Sequence, residues 1–162
     1  MSMTLNAFES FEIAEQIERN GTKFYRKAAE IFDDPHIHKM FIRLADWETG
    51  HEEIFAGMRK QLSEQGRELR TFRPEDELPD VKAMAGLAVF GIKPDPSDEL
   101  TGGESRADVL KQAIKKEKDS IVFYKGLKEF ISARAGKDKI DDIIEEEFKH
   151  IRILNQSLEQ LE

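Results

Sequence analysis

The chain has 162 residues, enough for a sizeable core, and we expect residues 1–162 to form a single domain. Its 33 acidic and 25 basic residues give a net charge of −8, which argues against nucleic-acid binding. The absence of cysteine excludes disulfides and cysteine-ligated zinc or iron sites. No signal peptide is visible at Met1–Ser10, and the longest apolar run, 83–92, is too short to span a bilayer. We therefore expect a cytoplasmic protein that is not bound to a membrane.

The first part of the chain predicts a helical hairpin. Apolar residues recur with a helical period over about 6–32 and again over about 36–65. Asn6 is a suitable N-cap for the first helix, and Asp33-Asp34-Pro35 ends it. The connection of about three residues makes the two helices antiparallel neighbours.

Residues 66–104 differ in composition from the helices on either side. They contain four of the five prolines: Pro74, Pro79, Pro94 and Pro96. An apolar pattern over about 80–90 predicts one short helix inside this stretch. The apolar run 83–92 would then cover one end of the bundle or a dimer interface. We interpret the stretch as a long crossover between two hairpins.

The last part of the chain predicts a second hairpin. A helix over about 105–132 begins at Ser105, with Asp108 in the capping-box position, and a last helix covers about 137–161. The start of the last helix follows Gly136, a turn signal. The fold class is therefore all-α, a four-helix bundle of two helical hairpins joined by a long crossover that contains a short helix.

The second hairpin repeats the first at an offset of 99 residues. Glu48 and His51 form a Glu-x-x-His motif that recurs as Glu147 and His150. The same offset relates Glu18 to Glu117 and Tyr25 to Tyr124. The repeat indicates two hairpins arranged around one site.

Four glutamates interrupt the apolar stripes of the four long helices: Glu18, Glu48, Glu117 and Glu147. A carboxylate that faces a core is costly unless it is paired or binds a metal. His51 and His150 each follow a glutamate by three residues and so point in the same direction. Distances along the helices place all six side chains at one level of the bundle interior.

This set of donors predicts a site for two metal ions. One Glu from each of two helices and Glu-x-x-His from each of the other two is the ligand set of carboxylate-bridged di-iron and di-manganese bundles. Carboxylate oxygens with imidazole suit iron or manganese, and four negative charges balance two divalent ions. The donors alone leave iron and manganese open, and a purified sample could hold manganese or zinc in place of iron. A metal-free helical interaction module is the alternative from another class.

Other polar and aromatic residues have less specific interpretations. Tyr25 and Tyr124 lie on the ligand faces, where each phenol either donates to a ligand carboxylate or simply packs in the core. Trp47 is expected to pack against a neighbouring helix or a partner chain. At least one residue of the run 145–146 should be solvated, and His36 and His38 should be exposed.

At these residues the sequence resembles the rubrerythrin branch of the ferritin-like superfamily. The resemblance covers the whole length and depends on four segments: Ile-Glu-Arg-Asn-Gly…Phe-Tyr (17–25), Leu-Ala-Asp-Trp-Glu-Thr-Gly-His (44–51), Glu-Lys-Asp-Ser-Ile…Phe-Tyr (117–124) and Glu-Glu-Glu-Phe-Lys-His (145–150). The family implies a ferritin-like bundle whose di-iron site reduces hydrogen peroxide or handles dioxygen and iron, usually in a dimer or larger assembly. The six residues above match the family's ligand positions.

Two departures from the family pattern affect the expected reaction. Typical rubrerythrins carry a cysteine-ligated rubredoxin domain that supplies electrons, and these 162 residues contain no cysteine. They also have an additional Glu one turn after the third-helix ligand, where this chain has Ser120. We expect a homodimeric non-haem di-iron oxidoreductase that reduces peroxide with an external redox protein. The alternative is an iron-binding storage protein that oxidises iron with dioxygen.

Overall fold

The computed structural model describes residues 7–64, 100–129, 131 and 134–161. In this part of the chain four helices are present, and there is no strand. They are α1 (Ala7–Ile31), α2 (Pro35–Glu64), α3 (Arg106–Lys128) and α4 (Arg134–Glu159). The predicted short helix at 80–90 and the apolar run 83–92 lie outside the described residues. The expected dimer therefore stays a prediction.

The four helices form two hairpins, as the sequence predicted. Helix α1 packs along α2, and α3 packs along α4. Further contacts between α1 and α3 and between α2 and α4 join the hairpins into one bundle. The starts of α1 and α3, and those of α2 and α4, are each 99 residues apart. The repeat in the sequence is thus also a repeat of the helical hairpin.

Local signals fix two of the helix starts. Asp34 Oδ1 accepts from the backbone N–H groups of His36 (2.9 Å) and Ile37 (3.3 Å) at the start of α2. Ser105 Oγ accepts from the backbone N–H of Asp108 (3.2 Å) at the start of α3. Each oxygen satisfies donors that lack a partner within the first turn of the helix.

Helix α4 begins at Arg134, earlier than the start at 137 that Gly136 suggested. A Cβ atom on Gly136 would lie 3.0 Å from Ile131 Cγ2 and 3.5 Å from Met58 Cε. The glycine therefore permits close packing inside the first turn of α4, and it does not end a loop.

The core fills the space between the hairpins with large aromatic side chains. Phe24, Phe41, Phe55 and Phe123 are all essentially inaccessible to solvent. Burying each contributes about 1.5–3 kcal/mol. None of the four helices has a long, nearly uncharged apolar stretch of the kind needed to cross a bilayer. Because the side chains of the core pack closely between the two hairpins, the polar residues within the core are held at fixed positions.

Candidate metal centre

The structure brings all six predicted donor residues together inside the bundle. Helices α1 and α3 contribute one glutamate each, and α2 and α4 each contribute a glutamate and a histidine. All six are buried, with at most 4% of any residue exposed: Glu18, Glu48, His51, Glu117, Glu147 and His150. Each hairpin therefore supplies half of the cluster.

The histidines connect the two hairpins across the bundle. His51 Nδ1 lies 2.9 Å from Glu147 Oε1 and 3.6 Å from Glu18 Oε1. His150 Nδ1 lies 3.1 Å from Glu48 Oε1 and 3.3 Å from Glu117 Oε1. The second set of contacts is the first set shifted by 99 residues. The cluster therefore has approximate twofold symmetry.

Two groups of four donors can be drawn within this cluster. Donor atoms of Glu18, Glu48, His51 and Glu147 lie within 4.8 Å of one another, and so do those of Glu48, Glu117, Glu147 and His150. Glu48 and Glu147 belong to both groups. This arrangement marks them as the carboxylates able to bridge two ions, a choice that the sequence left open.

Several carboxylate oxygens of the cluster have no hydrogen-bond donor. Glu18 Oε2, Glu48 Oε1 and Glu147 Oε2 are buried and accept no hydrogen bond. Glu48 Oε1 is close to His150 Nδ1, but it makes no hydrogen bond to that nitrogen. An unsatisfied buried carboxylate oxygen is unfavourable, and a cation is a suitable partner for it. The residues present therefore fit two hard metal ions.

Burial and mutual repulsion disfavour charge on two of these carboxylates. Burial raises the pKa of Glu18 above its ordinary value of 4.5, and repulsion from Glu147 raises it further. Burial also raises the pKa of Glu48 well above that value, with added repulsion from Glu147 and Glu18. For Glu147 burial acts in the same direction, but its contacts with the His150 and His51 imidazoles hold its pKa below the ordinary value.

The neighbouring carboxylates, which disfavour charge on Glu18 and Glu48, favour charge on the two imidazoles. Burial alone would lower the pKa of His51, but its contacts with Glu147 and Glu18 raise it from 6.5 to about 12. Burial likewise opposes the charge on His150, whose contacts with Glu147 and Glu48 raise its pKa to about 10. These contacts therefore favour the protonated form of both rings. Metal binding would displace the Nδ1 proton of each ring.

The two tyrosines donate to the site carboxylates of the opposite hairpin. Tyr25 Oη donates to Glu117 Oε1 (2.5 Å), and Tyr124 Oη donates to Glu18 Oε1 (2.6 Å). Both phenols are buried, which raises the pKa of each well above 10.0, and nearby carboxylates raise it further. Of the two interpretations that the sequence left open, the hydrogen bond to a carboxylate is therefore the one present. Each phenol fixes one oxygen of a glutamate and leaves the other oxygen available.

Three further residues contact the cluster without having been predicted to do so. Glu146 Oε2 accepts from His51 Nε2 (2.5 Å), whereas the sequence predicted only that at least one of residues 145 and 146 is solvated. Trp47 stacks on the His150 ring, with centroids 5.2 Å apart. A Cβ atom on Gly21 would lie 3.0 Å from Glu48 Oε2. The 99-residue register pairs Trp47 with Glu146, which is a signal that could have directed attention to both.

The remaining histidines and Ser120 stay away from the cluster. His36 and His38 are exposed, as expected. Ser120 Oγ donates to the backbone carbonyl of Lys116 (2.9 Å), so its hydroxyl is hydrogen-bonded within its own helix. The position of the additional family glutamate therefore supplies no ligand here.

A groove of about 310 Å³ lies between α2 and α4 beside the cluster. Its lining includes Ile54, Gly57, Ile143 and Glu146. The Glu146 side chain is about half exposed. Its carboxylate therefore extends from the groove to the buried His51 ring.

Comparisons with known proteins bear on the fold and the class of protein. Residues 9–82 match the rubrerythrin family model. A crystal structure from Thermotoga maritima, assigned as a ferritin-like diiron-carboxylate protein, matches with a TM-score of 0.76 and 27% identity over all of both chains. No curated protein matches the chain in sequence.

Fold and site together define a ferritin-like four-helix bundle with a carboxylate–histidine cluster at its centre. Within that class the chain is rubrerythrin-like, and its 162 residues include no cysteine from which a rubredoxin-type iron site could be made. The assignment of the six residues as metal ligands is consistent with their geometry and stays a prediction.

Proposed function

We propose that this protein is a non-haem di-iron oxidoreductase that reduces hydrogen peroxide. The observation that carries the proposal is the pair of four-donor groups that share Glu48 and Glu147. A bundle that served only as an interaction module would have no need for four buried carboxylates at one level. The cost of burying them is explained if they hold cations.

Iron is the metal that we propose for both positions. Four carboxylates balance the charge of two divalent ions, and oxygen donors with imidazole suit iron. The match to rubrerythrin and the description of the Thermotoga maritima protein as diiron-carboxylate favour iron over other metals of similar preference. In this assignment Glu48 and Glu147, which belong to both donor groups, would be shared by the two ions. Glu18 with His51 would hold one ion, and Glu117 with His150 would hold the other.

When bound, two ferrous ions supply the two electrons that, with two protons, convert one hydrogen peroxide into two waters. The protein holds the donors for this chemistry and limits access to it. Tyr25 and Tyr124 orient the two terminal glutamates. Phe41 stacks on Tyr25, and Phe55 packs against Tyr124, so apolar side chains cover both phenols and exclude water.

The electrons must return from outside the cluster. With no cysteine, these residues offer no thiolate-ligated iron centre as a relay. We therefore propose that an external redox protein reduces the site between turnovers.

One observation favours a second candidate, an iron-oxidising storage protein. Ser120 replaces the additional glutamate of typical rubrerythrins, and its hydroxyl donates within its own helix. The result is a more symmetric cluster, whereas the peroxidase cycle of the family has been associated with that extra carboxylate. A symmetric site could serve as an entry point for iron, with dioxygen as the oxidant.

The first experiment measures metal content. Protein from its native host should hold about two iron ions per chain, roughly 3.5–4 Å apart. Glu18→Gln should reduce this content because it removes one terminal carboxylate. Glu15→Gln is the matched control, since Glu15 is a buried acid on the same helix that pairs with Arg59 outside the cluster. Equal metal content in the two variants would contradict the proposed site.

The second experiment separates peroxidase from storage protein. Reduced di-iron protein is mixed with hydrogen peroxide or dioxygen in a stopped-flow instrument, and retained iron is counted afterwards. A peroxidase should consume about one peroxide per site, react faster with peroxide, and need an added reductase for turnover. Faster reaction with dioxygen, and iron retained far beyond two ions per chain, would favour storage and reject the peroxidase.

A further inference from the structure

The two histidines of the cluster differ in the residues that lie against their outer sides. Trp47 and Glu146 each precede the glutamate of a Glu-x-x-His motif, and they are 99 residues apart. Each extends across the bundle to the histidine of the opposite hairpin. Glu146 Oε2 accepts from His51 Nε2 at 2.5 Å. Trp47 stacks on His150, with ring centroids 5.2 Å apart and planes 12° apart.

Most other contacts of the two imidazoles follow the repeat, although His150 Nδ1 also lies 3.5 Å from Glu147 Oε2 of its own motif. Each Nδ1 faces a glutamate of its own hairpin and the motif glutamate of the other hairpin. The tyrosine bonds to Glu18 and Glu117 are also equivalent. Among the described residues, however, no carboxylate pairs with His150 Nε2. At the outer side of the imidazoles, the departure from symmetry is therefore the exchange of a carboxylate for an indole.

A carboxylate on the outer nitrogen has two effects on a metal-binding imidazole. It holds the proton on Nε2 and so leaves Nδ1 as the nitrogen available to a metal, and it increases the electron density of the ring. Removing such a partner typically costs about 10- to 100-fold in metal affinity. An indole face can hold His150 in place by stacking, but it cannot accept the proton in this way.

We propose that Glu146 is a positioning residue that makes the two metal positions unequal, so that the position formed by Glu18 and His51 fills before the one formed by Glu117 and His150. The inference rests on the proposed binding of two metal ions. It assigns a role to a half-exposed residue that contacts no metal itself.

The experiment uses Co²⁺ as an oxidation-stable probe and Trp47, the chain's one tryptophan, as a reporter beside His150. Metal-free protein is titrated while bound cobalt is measured by equilibrium dialysis and indole fluorescence is recorded. We expect two binding steps, with most of the fluorescence change in the second. Fluorescence that falls mainly with the first equivalent would overturn the order of filling.

Two variants test whether Glu146 causes the difference. In Glu146→Gln the first step should weaken about tenfold, and the fluorescence change should shift towards the first equivalent. Glu145→Gln, the matched control, removes the same charge from an adjacent exposed residue and should behave like wild type. Equal titrations of the two variants would reject the role of Glu146.

A measurement on the metal-free protein tests the contact between Glu146 and His51 independently of metal binding. In the metal-free protein the His51 Nε2–H proton should give a protected imidazole NMR signal that Glu146→Leu abolishes and Glu145→Leu retains, because leucine, unlike glutamine, offers no oxygen to accept from Nε2–H. Loss in both variants, or in neither, counts against the inference. Wild-type protein that binds fewer than two Co²⁺ ions would instead reject the proposed di-metal site, so the two failures are distinguishable.

Discussion

At the scale of single residues, Gly21 is the position where the smallest change should disturb the cluster. A Cβ atom added there would lie 3.0 Å from Glu48 Oε2 and 3.3 Å from its carboxyl carbon. Glu48 is one of the two shared carboxylates, so displacing it affects both donor groups. We expect Gly21→Ala to lower metal affinity about tenfold, within the range for residues that support ligands. Isothermal titration with Co²⁺ measures this change.

The control for this substitution is Gly50→Ala in α2. A Cβ atom on Gly50 would meet nothing within 4 Å. This change should stabilise the helix by roughly 0.5–1 kcal/mol and leave metal affinity as it is, because alanine favours helix more than glycine does. If both variants lose affinity equally, the steric explanation for Gly21 is wrong.

The four central glutamates could be placed in the cluster because each breaks a periodic apolar stripe and the repeat brings the breaks into register. The two histidines followed because each lies three residues after one of these glutamates. The roles of Gly21, Trp47 and Glu146 could not be read in the same way. Each depends on which side chain of the opposite helix lies within a few ångströms, and helical spacing does not determine that distance. The sequence did not distinguish Glu146 from an ordinary exposed acid, since solvated carboxylates are common on acidic helices.

At the scale of helices, the α1–α2 hairpin contains an ion pair between a buried acid and a partly exposed arginine, at positions that are apolar in the other hairpin. Glu15 is buried and accepts from Arg59 Nε (2.6 Å) and Nη2 (3.1 Å). The equivalent positions in α3 and α4 hold Ile114 and Leu158. The same packing site is thus filled by charges in one hairpin and by apolar side chains in the other.

This difference predicts an outcome for a double substitution. Arg59→Leu alone should destabilise the protein by about 1–3 kcal/mol because it leaves Glu15 buried without a partner, a range reduced for the partial exposure of Arg59. Adding Glu15→Ile should restore stability or exceed that of wild type, since apolar replacement of a buried pair is often neutral or stabilising. Urea denaturation of the two variants and wild type measures both changes. A double variant less stable than the single one would contradict the prediction.

The helices themselves followed from the sequence to within a few residues, because long amphipathic segments have a strong period. The largest differences in boundary are at the turn between α3 and α4, where Gly136 was interpreted as a turn signal. A glycine is also needed where another side chain approaches the backbone closely, and sequence alone does not separate the two causes. The register of 99 residues was the better guide, since Pro35 and Arg134 begin equivalent helices.

At the scale of the whole molecule, the bundle's stability and its proposed activity depend on the same charges. Two hairpins meet through carboxylates that repel one another when they are ionised. Protonated His51 and His150 offset part of this repulsion. Metal ions would offset more of it, and because they bind the folded state, they should raise its stability.

Glu48→Gln tests this coupling between charge and stability. Burial and repulsion raise the pKa of Glu48 in the folded protein well above 4.5, its ordinary value. The stabilisation that comes from protonated Glu48 is therefore fully present below pH 4.5 and is lost as the pH rises towards the folded-state pKa. At pH 7 the metal-free variant should therefore melt higher than metal-free wild type, by roughly 2–4 °C if the gain is about 1 kcal/mol. At pH 4 the difference should largely disappear, because Glu48 is then protonated in both the folded and the unfolded states.

Added Co²⁺ should reverse the order of the two melting temperatures at pH 7, since the variant lacks a shared carboxylate. Calorimetry at both pH values, with and without Co²⁺, measures these shifts. If the metal-free variant melts below wild type at pH 7, repulsion within the cluster does not limit the stability of the bundle.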